Sequence, residues 1–220
     1  MITCSYVIPT PIQEILPPEA IWNHDVQFVP GQTYQIIAPS GRGKSTLIGL
    51  LAGLRGDYSG QIHINNRNIQ QFTTQDWANW RASGASFVFQ DLRLFPSLTA
   101  LQNIQLAQNI AQNTEQYIEQ NIATINAIEQ WADQLQIKHK LMQPCGELSF
   151  GQQQRIAILR ALAKPFQWLM LDEPFSHLDP QNTQLAWQLI LEIAQQRKAG
   201  IIITSLNPYA NILCDHTLSV

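Results

Sequence analysis

Ala38-Pro39-Ser40-Gly41-Arg42-Gly43-Lys44-Ser45-Thr46 follows the apolar run Tyr34-Gln35-Ile36-Ile37 and precedes Leu47-Ile48-Gly49-Leu50-Leu51. The order reads as strand, glycine-containing turn, helix. A turn of this kind points several backbone N–H groups and a helix N-terminus at one spot, which favours a polyphosphate. Lys44 adds a cation for the outer phosphates, and the Ser45 hydroxyl can hold Mg2+. A Gly-Lys-Ser triplet alone also occurs where a loop merely enters a helix; the strand before and the helix after make this one the phosphate-binding loop of a nucleotide triphosphatase. One residue departs from that pattern, whose first glycine is here Ala38. Glycine is needed where φ is positive or a Cβ collides. Pro39 already pushes Ala38 toward extended geometry, so Ala38 is expected to end the strand without strain and to keep its N–H.

Outward from the loop, 220 residues at 45% hydrophobic composition suffice for one α/β domain with an inserted subdomain. A net charge of −3 and the lack of any Lys or Arg run argue against nucleic acid as a partner. Cys4, Cys145 and Cys214 are an odd, widely spaced set without a C-x-x-C, as in reduced thiols of a cytosol. The first residues show no basic region followed by an apolar stretch, and no apolar segment approaches the ~20 residues of a membrane helix. Work at a membrane then implies that another chain spans it. Glutamines interspersed with apolar residues at helical spacing read as neutral helix surface.

Along the chain, strands are expected at 2–7, 25–29, 34–37, 61–64, 86–89, 168–171, 201–204 and 217–220. Helices are expected at 44–54, at 74–81 with Trp77 and Trp80 buried, at 181–198 and at 209–213. Between 99 and 135 the period is helical throughout, marked by Leu101, Ile104, Leu106 and Ile110 and then by Tyr117, Ile118, Ile122, Ile125, Ile128 and Leu135. Ser149 opens a further helix, with Gln152 placed for a capping box. Strands alternating with helices around one phosphate loop predict an α/β fold of P-loop NTPase type: a mostly parallel sheet, an antiparallel β subdomain and an inserted helical subdomain. The boundaries put 1–91 and 147–220 in the nucleotide-binding core and 92–146 in the helical subdomain.

A second constellation, Glu147-Leu148-Ser149-Phe150-Gly151-Gln152-Gln153-Gln154-Arg155, stands before the strand that ends at Asp172-Glu173. With the phosphate loop, this order resembles the ATP-binding cassette (ABC) ATPases over nearly the whole chain. Leu-Ser-Phe-Gly-Gln looks like their signature motif, Gln90 like their Q-loop glutamine, Leu171-Asp172-Glu173-Pro174 like their second nucleotide motif and Ser176-His177-Leu178-Asp179 like their D-loop. Asp172, ending a buried strand, can hold Mg2+ through water; Glu173 beside it can orient or deprotonate the attacking water. The resemblance adds Gln90 to the catalytic residues and, with Ser45 and Asp172, to the metal ligands. It also implies a head-to-tail pair of cassettes, a second copy or a related chain, in which each ATP lies between one phosphate loop and the other chain's Ser149, Gly151 and Gln152.

Three departures from the family pattern stand out. Phe150 puts a ring at the mouth of the signature. Near Ile12 and Ile15, where the family stacks an aromatic on adenine, none is evident, so that either stacking is weak or another ring such as Trp22 substitutes. Leu206, in Thr204-Ser205-Leu206-Asn207-Pro208, stands where a switch histidine is expected and cannot hydrogen-bond the γ-phosphate. Glu173 with Mg2+ then sustains slow hydrolysis, or the site mainly binds ATP. His177 is a candidate replacement imidazole; an ordinary surface histidine is the simpler reading. The family also implies an integral-membrane permease, peripheral attachment at the cytoplasmic face of the inner membrane, and a coupling segment at 89–96. There Leu92, Leu94 and Phe95 form a docking patch or, alternatively, core. Compact cassettes of this kind resemble those serving lipoprotein release, macrolide or peptide export, or cell-division signalling, and small-solute import keeps the direction open. The alternative is an ATP-dependent mechanical partner of a membrane protein that transports nothing.

Overall fold

The computed structural model describes residues 1–10, 21–112, 123–209 and 212–219. β1 (Ile2–Pro9) and β2 (Asp25–Phe28) pair antiparallel, with Ile2 opposite Phe28. After the Pro30-Gly31 turn, β3 (Thr33–Ile37) leads through the phosphate loop into α1 (Lys44–Leu51). β4 (Tyr58–Ile64) returns to β1, and left-handed Asn65 and Asn66 turn it into β5 (Arg67–Asn68). The antiparallel sheet thus runs β2-β1-β4-β5.

α2 (Thr74–Asn79) begins with a capping box between Thr73 and Asp76 and gives way to a wide π-type turn over residues 80–84. Only one of the two indoles is fully buried: Trp80 lies in the core and donates from Nε1 to the Leu51 carbonyl at 2.8 Å, while Trp77 is half-buried. β6 (Ala85–Val88) follows, then α3 (Ala100–Gln112), α4 (Ile125–Gln134) and α5 (Phe150–Ala163). Tyr117, Ile118 and Ile122 lie outside the described residues, as does part of the helix expected at 209–213. β7 (Trp168–Asp172), α6 (Pro180–Arg197), β8 (Gly200–Ser205) and β9 (His216–Ser219) complete the chain.

The second sheet has the order β6-β7-β8-β3-β9 and is parallel at every pairing. β7 and β8 are buried along their whole length because both faces are covered. Trp168, Met170 and Ile202 pack with α1 and the antiparallel sheet; Leu169, Leu171, Ile201 and Ile203 point the other way into a core shared with α3, α4, α5 and α6. This period of two inside continuous apolar runs is what a central parallel strand requires.

Polar side chains inside the helical region organise its loops. Asn103 is fully buried; its Oδ1 accepts from the Phe95 N–H at 2.8 Å and its Nδ2 donates to the Phe95 and Thr99 carbonyls at 3.1 Å. Gln108 donates to the Ala123 carbonyl at 2.6 Å. Gln108 and Gln154 are buried, two exceptions to the reading of the helical glutamines as surface.

Lys164 caps α5 and turns its amine inward, donating to the Ala85 carbonyl at 2.6 Å and to that of Arg81. Burial, with Arg197 and Arg81 nearby, pushes this ammonium down to about 7. Above that pH the unfolded chain still holds a proton that the folded chain has released, so stability rises with pH until the ordinary lysine range. Urea unfolding is expected to show a gain of about 1–2 kcal/mol between about pH 7 and about pH 8.5, which Lys164→Met removes. An unchanged pH difference in that variant overturns the assignment.

Candidate functional site

In a parallel sheet the carboxyl ends of all strands share one edge, where loops from distant parts of the chain converge. At the end of β3 the Ala38 N–H donates to the Ser205 carbonyl at 3.2 Å, extending the pairing with β8 by one residue. Ala38 is buried and keeps a negative φ, so its Cβ causes no strain. The turn instead depends on Gly43, whose φ of 95° caps α1 without a side chain.

Lys44, only 4% exposed, folds back over the turn. Its Nζ donates to the Ala38 carbonyl at 2.6 Å and the Pro39 carbonyl at 3.1 Å, and lies 3.3 Å from a Glu173 carboxylate oxygen. Ser40, Gly41, Gly43, Lys44, Ser45, Thr46, Gln90, Glu173 and Leu206 line a cleft of about 240 Å³, with Arg42 in the same turn. Lysine, carboxylate and loop are thus gathered around the N-terminus of α1.

Asp172 is 3% exposed at the end of β7, in register with Thr204 of β8. The Thr204 hydroxyl donates to Asp172 Oδ1 at 2.7 Å and accepts from the Glu173 N–H at 3.2 Å. Glu173 itself is left-handed, with φ of 48°. Ser45, Gln90 and Asp172 line a second, adjoining cleft of about 490 Å³. This is an oxygen donor set with a single carboxylate, and among the described residues no group of three His, Cys, Asp or Glu could hold a metal. Such a set fits Mg2+, which keeps several waters and takes its remaining ligands from substrate phosphates.

Other expected site residues lie apart. Ser149, exposed, caps α5 in the anticipated capping box: its N–H donates to Gln152 Oε1 at 2.9 Å and the Gln152 N–H returns to Ser149 Oγ at 3.4 Å. Ser149, Gly151 and Gln152 are not among the residues lining either cleft. Gly151 packs so closely on the loop after β7 that an added Cβ would sit 2.8 Å from the His177 carbonyl oxygen. Exposed Phe150 lies 4.5 Å, centroid to centroid, from the His177 ring, which also does not line the phosphate cleft.

One candidate is excluded and one pair of alternatives is decided. Trp22 cannot stack on adenine, because at 1% exposure it offers no face; Ile12 and Ile15 lie outside the described residues. Leu92 is core rather than docking surface, Leu94 is half-buried against that core, and only Phe95 is exposed. Leu92 and Arg93 are both left-handed, and Arg160 of α5 donates to their two carbonyls at 2.5 Å, its guanidinium pushed down from its ordinary value by burial. Arg160, Thr204 and Gln154 are supporting residues that sequence reasoning missed. A hydroxyl closing the apolar run 201–203 was the available signal for Thr204.

The family model described as ABC transporter matches residues 21–176. The lipoprotein-releasing system ATP-binding protein LolD of Legionella pneumophila is 33% identical over 187 residues, 85% of this chain and 80% of that protein. LolD of Idiomarina loihiensis is 31% identical, covering 82% and 78%. The phosphonates import ATP-binding protein PhnC of Agrobacterium fabrum is 33% identical, covering 86% of this chain and 66% of that protein. Among solved structures, the dimeric bacterial ABC transporter cassette MJ0796 superposes with a TM-score of 0.77 at 25% identity, over 94% of this chain and 88% of that one.

Proposed function

The chain belongs to the ABC transporter family, and from that premise we propose that it binds and hydrolyses ATP to power a separate membrane permease, working as a head-to-tail dimer. The observation that carries this reading is the convergence of Lys44, Ser45, Gln90, Asp172 and Glu173 on adjoining clefts. In this assignment Ser40, Gly41, Arg42, Gly43, Lys44, Ser45 and Thr46 hold the phosphates through backbone N–H groups and the lysine cation. Ser45, Gln90 and Asp172 hold Mg2+, which when bound neutralises charge on the phosphate oxygens. Glu173 is the base that takes the proton of the attacking water, and Gln90 helps position that water. Ser149, Gly151 and Gln152 serve the nucleotide of a second chain, a role supported by their lying outside this chain's own clefts, with Ser149 exposed.

A permease partner is supported by the relatives' names, and among the described residues no helix is long and apolar enough to cross a membrane. The assignment places the protein peripherally at the cytoplasmic face of the inner membrane. Release of lipoprotein-like cargo is the reading favoured by the recurrence of lipoprotein-releasing ATP-binding proteins among the relatives, beside importers of equal identity. The division into 1–91 with 147–220, and 92–146, goes with this reading, with α3 and α4 of the second part packed on α5 of the first. Mg2+-dependent phosphate release by the purified protein, raised by its co-purified membrane partner, is the expected result. Absence of ATP binding overturns the proposal.

A second reading, an ATP-dependent mechanical partner with slow turnover, is favoured by Leu206, which lines the phosphate cleft and whose side chain, 46% exposed, carries no hydrogen-bonding atom. Leu206→His is expected to raise kcat on the order of tenfold, because a donor at the γ-phosphate stabilises developing charge. Unchanged turnover in that variant, measured by phosphate release, excludes a deficit at this position.

A further inference from the structure

Gln154 lies on the inner face of α5, a little over one turn beyond the Ser149 cap, and is 2% exposed. Its amide has three partners, all in the loop after β7. Nε2 donates to the Glu173 carbonyl at 3.2 Å and to Ser176 Oγ at 3.3 Å, and Oε1 accepts from the His177 N–H at 3.0 Å. Both polar groups of Glu173's backbone are therefore held, its N–H by the Thr204 hydroxyl and its carbonyl by Gln154 together with the Ser176 N–H at 3.3 Å. Glu173 is left-handed at φ 48°, a conformation that a residue with a Cβ keeps only when its surroundings over-determine it.

We propose that Gln154 is a positioning residue for hydrolysis: by donating to the Glu173 carbonyl and the Ser176 hydroxyl it keeps Glu173 left-handed, with its carboxylate in the phosphate cleft beside Lys44. A buried glutamine that only satisfies its own amide needs no particular partner. This one grips the strained residue that carries the carboxylate, so loss of the grip lets φ relax and swings the Cβ out of the cleft. The same helix begins at Ser149, so the placement of Glu173 in one site follows the position of the α5 end that the dimer assigns to the other site. The inference rests on the assignment of Glu173 as base.

Two variants test it. Gln154→Leu removes the whole amide, and Gln154→Glu keeps the acceptor for His177 while losing both donations. Both are expected to lower kcat about tenfold or more, with the affinity for a fluorescent ATP analogue held within about threefold. Hydrogen exchange adds a readout independent of turnover: amide protection at 175–178 should fall about tenfold in Gln154→Leu, and the His177 amide should stay protected in Gln154→Glu. Turnover within about twofold of wild type in both variants overturns the proposal, as does a loss of affinity in proportion to kcat. Wild type without turnover, or Glu173→Gln as active as wild type, instead overturns the hydrolytic reading; the exchange data then decide by themselves whether Gln154 holds the loop.

Discussion

Glu173→Gln is expected to lower ATP turnover by about a hundredfold to ten-thousandfold, the range that a positioned general base contributes, while ATP binding is kept. The amide preserves the shape of the carboxylate and both backbone bonds that hold residue 173, but it cannot take a proton from water. It also removes the 3.3 Å ion pair between Glu173 and Lys44. Lys44 is then freer to meet phosphate, so affinity for ATP should be equal to or tighter than that of wild type. Phosphate release and equilibrium binding on the same preparation separate the two effects. A variant that turns over at the wild-type rate removes Glu173 from the chemistry.

Lys44→Ala is expected to act on the other parameter, weakening ATP about fifty- to a hundredfold, which corresponds to the loss of a charge-assisted hydrogen bond of about 2–3 kcal/mol. The loss is compounded because Glu173 stays in the cleft with its lysine partner gone and repels the triphosphate. The Ala38 and Pro39 carbonyls also lose their donor. Calorimetric titration with ATP measures the affinity, and the thermal midpoint without nucleotide reports damage to the loop itself. Lys44→Arg should recover only part of the affinity, since a planar fork does not reproduce a compact ammonium. Wild-type affinity in Lys44→Ala contradicts the phosphate assignment.

The two variants draw on residues that are readable in the sequence for a local reason. Lys44 and Ser45 follow an apolar strand and a glycine turn, and Asp172 and Glu173 end a continuous apolar run. Because parallel strands deliver their carboxyl ends to one edge, finding such runs is enough to bring these side chains together. Ser149 is readable for a similar reason, since a cap and its partner lie three residues apart. Leu206, one residue beyond β8, is readable by position alone and does line the cleft.

What lies around them is not readable in this way. Gln154 looks like any glutamine on a helix, Arg160 like a solvated cation and Leu92 like a docking residue. Their roles follow from which face of α5 meets which loop, and that face is chosen by packing against α3, α6 and the sheet. Trp22 offers a ring to adenine in the sequence, but the core between the two sheets takes it.

By itself the sequence determined the parallel α/β architecture, the phosphate loop and the identities of the charged groups, because hydrophobic period, turn chemistry and capping act over a few residues. Tertiary structure alone decided which polar side chains hold Glu173 in its left-handed conformation and which apolar ones stay exposed. Those contacts join residues 19 to 31 positions apart through hydrogen bonds of defined length, and no local pattern records them.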